Sequence, residues 1–238
     1  GAQKEVVTDE NGNVVPNQIR YTTLDLDNNI FKWRIWKGEC ADETTITIAN
    51  NYVNAKIDFA DKVSCDNTAS IQAEDNTVAF PGSTGKWTSL NGSTFNGTAE
   101  TSTDKPATSI ENIPSTGDVF TWTVSKGECT DVETVNILNY YIEAEILTED
   151  KTICKSEETL QAKNVSGYGT TARGYWDIES YPTSKIANRD DIKFADANSY
   201  NTTVSGMTAN GEYVFSWNVY HELNIGGVTE RTCERKST

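Results

Sequence analysis

The sequence has little of what enzymes and membrane proteins usually need. It contains one histidine in 238 residues, His221, and no run of 18 apolar residues. A Ser or Cys nucleophile needs a neighbouring base, which one histidine cannot supply to a repeated unit. Glycine motifs for phosphates or dinucleotides are also missing. The sequence therefore predicts a protein that is not an enzyme and does not insert into a membrane.

Positive charge is scarce too. The chain has 20 Lys and Arg against 35 Asp and Glu, a net charge of −15. Nucleic acids are bound by clustered cations, so we expect no nucleic-acid partner. The acidity is interpreted as a soluble, self-repelling surface, with cation binding as the alternative.

Amphipathic helical patterns are missing, and alternation at period two takes their place. In residues 120–124, Phe120, Trp122 and Val124 alternate with threonines, and residues 31–35 follow the same pattern. Such short runs, rich in Thr, Val and aromatic residues and separated by Asn-Gly turns, are typical of β-sandwiches. The predicted fold class is all-β, with tandem immunoglobulin-like β-sandwich modules of about 90 residues.

An internal repeat supports the tandem arrangement. "FKWRIWKGEC" (residues 31–40) returns as "FTWTVSKGEC" (residues 120–129), at an offset of 89. The same offset relates three further pairs: Tyr52 and Tyr141, Cys65 and Cys154, Trp87 and Trp176. A third copy, "YVFSW" (residues 213–217), lies 95 positions after its counterpart. Self-similarity at a fixed period is the signature of a repeat architecture.

The repeat divides the chain into three parts. Residues 1–54 are predicted to be the C-terminal part of a first module (the first segment), and residues 55–143 a complete second module. Residues 144–238 are the third module, with an inserted loop at 219–232 that turns at Gly226-Gly227, and without its last strand. We expect the chain to begin inside one module and to end inside another. The linkers contain no Pro or Gly, so little free hinge is expected.

The tryptophans fall into two classes. Five occupy repeated positions on apolar strand faces and are predicted to be core residues: Trp33, Trp87, Trp122, Trp176 and Trp217. Trp36 breaks the repeat, since Ser125 stands in its place in the second module. We expect Trp36 to be exposed or to contact a neighbour, and name it and His221 as possible ligand contacts.

The five cysteines fall into early-module positions (Cys65, Cys154) and late-module positions (Cys40, Cys129, Cys233). One of each per module predicts the disulfides Cys65–Cys129 and Cys154–Cys233, with the partner of Cys40 before residue 1. Closing such loops would stabilise a module by about 4 kcal/mol. Disulfides indicate an oxidising, extracellular location, and a zinc site would need clustered Cys and His, which the spacing does not offer.

Acidic residues near the junctions suggest one cofactor. Ca²⁺ takes six to eight oxygen ligands, and two abutting modules could share them. The candidate ligands are Asp58, Asp61 and Asp66 at one junction and Glu145, Glu149 and Asp150 at the other.

The module resembles the immunoglobulin-like and PKD-like repeats of giant Bacteroidota surface proteins. The wording that carries the resemblance is an early Cys65, Gly85-Lys86-Trp87, and "GDVFTWTVSKGEC" (residues 117–129) followed by "ETVNI". The third module matches with Gly174-Tyr175-Trp176 and "GEYVFSW" (residues 211–217), and departs from the pattern in its insertion. The resemblance implies type IX secretion and a role in adhesion or gliding motility at the cell surface, with no catalytic residues.

These observations favour a non-catalytic repeat segment of a long cell-surface adhesin that acts as a semi-rigid stalk. Its expected partners are neighbouring modules of the same chain. The alternative is an extracellular ligand-binding module that recognises a surface glycan or protein, or depends on calcium.

Overall fold

The computed structural model describes residues 3–186, 188–225 and 227–238, so Gly226 of the predicted turn lies outside the described residues. It confirms the all-β fold class, with tandem immunoglobulin-like modules. The longest helix in the described chain has four residues, far short of the roughly 20 that cross a bilayer.

The first segment consists of two hairpins. The first pairs β1 (Gln3–Thr8) with β2 (Val14–Thr22), and the second pairs β3 (Asp27–Lys37) with β4 (Cys40–Asn50). The β3–β4 turn corresponds to the "KGEC" wording of the repeat.

The second module is a sandwich of two sheets. Its strands are β5 (Ile57–Ala60), β6 (Val63–Ser64), β7 (Ala69–Ala73), β8 (Thr84–Ser89), β9 (Thr94–Phe95), β10 (Ser102–Thr103), β11 (Ala107–Glu111), β12 (Asp118–Lys126) and β13 (Cys129–Asn139). One sheet has the order β5-β7-β11-β9, and the other β10-β8-β12-β13-β6. A one-turn helix, α1 (Asn76–Ala79), connects β7 to β8. The parallel pairing of β6 with the end of β13 places the first strand region beside the last, at the end of the module next to the third.

The third module repeats this plan with fewer strands. They are β14 (Glu157–Gln161), β15 (Ala172–Ser180), β16 (Lys193–Phe194), β17 (Asn201–Ser205), β18 (Val214–Ile225) and β19 (Val228–Ser237). The sheets have the orders β14-β17-β16 and β15-β18-β19. Two short 3₁₀ helices, Val165–Tyr168 and Arg189–Asp191, lie in its connections.

One prediction about the third module is wrong. Residues 219–232 are not a loop, because β18 and β19 stay paired up to Ile225 and Val228. That the module lacks its last strand stays a prediction, because β19 pairs with β18 only as far as Trp217 and Ser237, whereas β13 continues beyond Glu133, the partner of Trp122. The insertion adds residues to both strands, so the hairpin becomes longer while its pairing continues.

Paired tryptophans with tilted rings fill both cores, as predicted for four of the five repeated positions. Trp87 and Trp122 have ring centroids 5.2 Å apart, and Trp176 and Trp217 are also separated by 5.2 Å. All four side chains are buried. The Trp87 indole donates a 3.0 Å hydrogen bond to the carbonyl of Pro106, which satisfies its only polar atom.

The Gly-x-Trp motif is explained by this packing of the tryptophans. A Cβ at Gly85 would lie 2.3 Å from Cζ2 of Trp122, and one at Gly174 would lie 2.2 Å from Cζ2 of Trp217. Only glycine lets the strand pass under the indole.

The prediction that Trp33 is a core residue is wrong, because 45 % of it is exposed. Its counterpart Trp122 is covered by Trp87 on β8. The described part of the first segment contains no strand corresponding to β8.

Candidate functional site at the module junctions

The junctions are the best candidate for a functional feature because each linker is built into the next module. Val53, before the second module, is 5 % exposed and belongs to that module's core cluster. Ile142 lies 89 positions later, is 1 % exposed and belongs to the core cluster of the third module. Each linker therefore inserts an apolar side chain into the sandwich that follows it.

An asparagine fixes the chain before each junction. Asn139, the last residue of β13, donates a 2.7 Å hydrogen bond from its amide to the carbonyl of Ile113. Its side-chain oxygen accepts a 2.9 Å bond from the backbone N–H of Tyr141. These bonds tie the linker to the body of the second module.

Asn50 makes the corresponding bonds at the preceding junction. Its amide donates to the carbonyl of Leu24 at 3.1 Å, and its oxygen accepts from the N–H of Tyr52 at 3.2 Å. All three residues lie 89 positions before their counterparts. The two junctions therefore leave the preceding unit in the same way.

An aromatic contact then crosses each junction. The rings of Tyr52 and Phe80 meet edge to face at 5.9 Å, and those of Tyr141 and Tyr168 at 6.1 Å. In each case the linker tyrosine packs on the connection that leads into the Gly-x-Trp strand of the next module, β8 or β15. Such pairs contribute about 0.5–1.5 kcal/mol beyond the area that they bury.

The turn between the two longest strands also touches the preceding linker. Lys126 forms a 2.5 Å ion pair with Asp27 of the first segment, and a Cβ at Gly127 would lie 2.6 Å from the amide nitrogen of Asn51. At the next junction His221 packs on Tyr140, with ring centroids 5.1 Å apart. His221 corresponds to Lys126 at the offset of 95, and Tyr140 to Asn51 at the offset of 89.

A disulfide joins the second module to the third. Cys65 is bonded to Cys233 across a sequence separation of 168, with Cα atoms 5.1 Å apart. A guanidinium nitrogen of Arg235 donates to the carbonyl of Cys65 at 3.1 Å, which adds a polar contact beside the bond.

The predicted pairings Cys65–Cys129 and Cys154–Cys233 therefore differ from the structure. Cys65 follows β6, whose Ser64 pairs with Asn139 at the end of β13. Cys129 begins β13, ten residues earlier, which puts it about 33 Å away along the strand. A disulfide needs Cα atoms within roughly 7 Å, so the two cysteines of one module cannot meet.

The remaining cysteines are free and exposed. Cys40 and Cys129 begin the last strand of their units, and Cys154 lies 89 positions after Cys65. They are available for labelling or for bonds to other chains.

His221 does not lie in an exposed loop, as the sequence suggested, but on β18 and 1 % exposed. Its Nδ1 is 2.8 Å from the hydroxyl of Thr171, and its ring packs on Tyr140. Burial lowers the pKa of His221, an effect partly opposed by the backbone of Tyr141. This corrects its assignment as a ligand contact: it is a packing residue of the junction.

The predicted calcium ligands are dispersed. Lys56 pairs with Asp58 at 2.7 Å, Ser70 donates its N–H to Asp61, and Thr68 donates its hydroxyl to Asp66. Glu145 pairs with Lys163 at 3.2 Å, and Glu149 and Asp150 are exposed. Within the described ranges, no three His, Cys, Asp or Glu side chains come together as a metal site would need. Four of the six candidate ligands are therefore engaged by local partners, and the six are not gathered at one point.

Trp36 is 75 % exposed on β3, on the strand face opposite to that of Trp33. The exposure agrees with its departure from the repeat, and its role as a ligand contact stays a prediction.

Tyr52 and Tyr141 were recognised as a repeated pair but not as junction contacts, although the signal for the junction lies in the residues around them. "ANNYVNA" (residues 49–55) and "LNYYIEA" (residues 138–144) share the offset of 89 and keep an asparagine, a tyrosine and an alanine in place.

Comparison with solved structures finds multidomain chains of other proteins. The chain is similar to extracellular domains 3–5 of Drosophila OTK, with 10 % identity and a TM-score of 0.33 over 84 % of this chain and 68 % of that one. It is also similar to titin domains, with 10 % identity and a TM-score of 0.28 over 92 % and 76 % of the two chains. For the surface layer protein SbsC, domains 4–9, the values are 14 % and 0.25 over 99 % of this chain and 46 % of that one.

No protein-family model and no curated protein matches the chain. Function therefore has to be argued from the chain's own residues.

Proposed function

We propose that the chain is a non-catalytic repeat segment of a long extracellular adhesin, where it acts as a semi-rigid stalk in adhesion or gliding motility. The observation that carries the proposal is that equivalent linker residues make the same kinds of contact at both junctions. A linker that is hydrogen-bonded at one end and buried at the other has little conformational freedom left. Successive modules then keep one mutual orientation, which a stalk needs in order to project its tip.

The disulfide between modules supports both parts of the proposal. It limits how far the second and third modules can separate, and disulfides persist mainly in oxidising compartments such as the cell exterior. The net charge of −15 fits a long surface chain, because like charges keep neighbouring chains apart.

Two native thiols allow a direct test of stiffness. In a Cys154→Ser variant, spin labels on Cys40 and Cys129 lie at corresponding turns on either side of the first junction. One module length, estimated from its 11-residue last strand, separates them by about 35–40 Å. We expect pulsed electron–electron double resonance to give a single narrow distribution of the distance between the two spin labels.

The matched control carries a six-residue Gly-Ser insertion between Asn51 and Tyr52 and should broaden the distribution. If the unmodified linker gives a distribution as broad as the control, the junction is a free hinge and the stalk proposal is wrong.

The exposed indole of Trp36 favours one second candidate, carbohydrate recognition, because sugars stack on exposed aromatic faces. Binding to a glycan array that is lost in Trp36→Ala, with an unchanged circular dichroism spectrum, would support it. Equal signals from both proteins would exclude Trp36 as the contact.

A further inference from the structure

The late cysteines Cys129 and Cys233 lie at nearly the same level along the strands of their modules, although they follow the core tryptophans Trp122 and Trp217 at different spacings in the sequence. Cys129 pairs with Lys126, four residues after Trp122 on β12. Cys233 lies at the irregularity of β19, between the residues that pair with Val219 and His221. Val219 and His221 are two and four residues after Trp217, the counterpart of Trp122. The nine extra residues of the third module extend its hairpin beyond this level, so they do not displace the cysteine.

The early cysteines are also equivalent. Cys65 follows Ser64, which is buried at the end of the second module. Cys154 follows Ile153, which packs against the core of the third module. Each early cysteine thus follows a residue packed into its own module.

The contacts that hold modules together recur at both junctions. The buried linker residue, the capping asparagine and the tyrosine edge contact are present at both junctions, and the equivalent residues Lys126 and His221 each contact the preceding unit. At the second junction this packing brings an early cysteine of one module to a late cysteine of the next. At the first junction Cys129 presents the late cysteine in the same place.

We propose that Cys65–Cys233 is one member of a series of disulfides that link each module to the next. Cys129 and Cys40 would then bond to the early cysteine of a preceding module, and Cys154 to the late cysteine of a following one. The proposal deepens the stalk function and rests on it, because it requires further modules of the same kind. The interaction surface is therefore the end of each sandwich, and its partner is another copy of the module.

The bond forms by thiol–disulfide exchange with a small-molecule or protein disulfide. Two cysteine thiols are oxidised to one disulfide, and the exchanging disulfide is reduced to two thiols, which take up the two protons and two electrons. Both Cys129 and Cys154 are exposed enough for such an exchange.

The test inserts a second copy of residues 55–143 after residue 143 of the full chain. The present chain has five cysteines, one disulfide and three free thiols. The longer chain has seven cysteines, and the proposal expects two disulfides and again three thiols by alkylation and intact mass after oxidative refolding with glutathione disulfide. Five thiols would overturn the proposal.

A matched pair of variants locates the new bond. Cys129→Ser in the second copy should remove one disulfide and raise the thiol count to four. The same substitution in the first copy should keep both disulfides and lower the count to two. The reverse result would show bonding within a module and would overturn the proposal.

A second insertion guards against a folding defect at the new junction. It repeats residues 92–180 after residue 180, so that the copies meet in loops, and the expected count is again three thiols. If either chain folds cooperatively but keeps five thiols, the proposal is wrong. It is also wrong if neither chain folds, because modules that stack through the same contacts must accept another copy. The spin-label distance across the first junction is measured without any of these bonds, so the stalk proposal can fail or hold separately.

Discussion

Breaking the disulfide between modules should weaken the chain by an amount that its loop length sets. Cys65→Ala opens a loop with a sequence separation of 168. On the chain-entropy model such a closure is worth about 5 kcal/mol. If only the third module unfolds, the loop still holds roughly 90 residues, and because the dependence is logarithmic the value falls only to about 4.6 kcal/mol. Since measured effects are often smaller, we expect a loss of about 2–5 kcal/mol in the free energy of unfolding.

The assay is urea and thermal unfolding followed by tryptophan fluorescence and calorimetry. At about 2–4 °C per kcal/mol for a chain of this size, the midpoint should fall by roughly 10 °C. The control is Cys129→Ala, which removes an exposed, unbonded thiol and should change stability by less than about 0.5 kcal/mol. Equal losses in the two variants would indicate the Cys65–Cys129 pairing that the sequence suggested, and would refute the reasoning from the structure.

Three further predictions concern single side chains. Gly174→Ala should cost about 1–3 kcal/mol in unfolding experiments, because its Cβ would overlap Trp217, whereas Gly167→Ala, with open space around it, should be nearly neutral. Asp118→Asn should lower the free energy of unfolding by about 2 kcal/mol, measured by urea titration. Burial would raise the pKa of Asp118, but hydrogen bonds from serine hydroxyls and backbone N–H groups outweigh it and lower the pKa. The stabilisation by Asp118 is therefore present above the usual Asp pKa and is lost as the pH falls through the pKa of Asp118 in the folded protein. The lowered pKa of the only histidine, His221, means that the unfolded chain binds its proton first, so stability should fall from pH 7.5 to 5.5 in the wild type and less in His221→Gln; parallel pH curves would contradict this.

The sequence predicted the core of the two sandwiches well, for a physical reason. Residues repeated at one offset and alternating at period two must face the same buried layer in every module, and Trp122 and Trp217 do so. The rule fails for Trp33, because burial depends on a covering strand, and alternation reports only which side of a strand a residue faces. The insertion was placed in the right hairpin but assigned to a loop, because an antiparallel pair can add residues to both strands with a single shift of register, here between Val219 and His221, and length alone does not separate that from a loop.

The disulfide pairing could not be obtained from the repeat. A period states which positions are equivalent, but it does not state whether an early cysteine meets the late cysteine of its own module or of the next. What decides is position along the strands: Cys65 lies where one sandwich ends, and Cys233 where the next begins. The junction contacts carried the same information, since they show which ends of successive modules face each other.

The pairing also determines how the chain transmits tension. A force applied to the two ends passes from residue 1 to Cys65, crosses the disulfide, and leaves through the last residues after Cys233. The intervening stretch cannot extend even if both modules unfold, which withholds roughly 550–600 Å of contour at 3.3–3.6 Å per residue. Bonds within modules would instead withhold separate loops of 64 and 79 residues, a total shorter by about 80–90 Å. In force spectroscopy, the fully unfolded reduced chain should therefore be longer than the oxidised chain by the larger value, roughly 550–600 Å. A difference matching the two shorter loops, or none, would contradict the bond between modules and the view that tension bypasses the sandwiches.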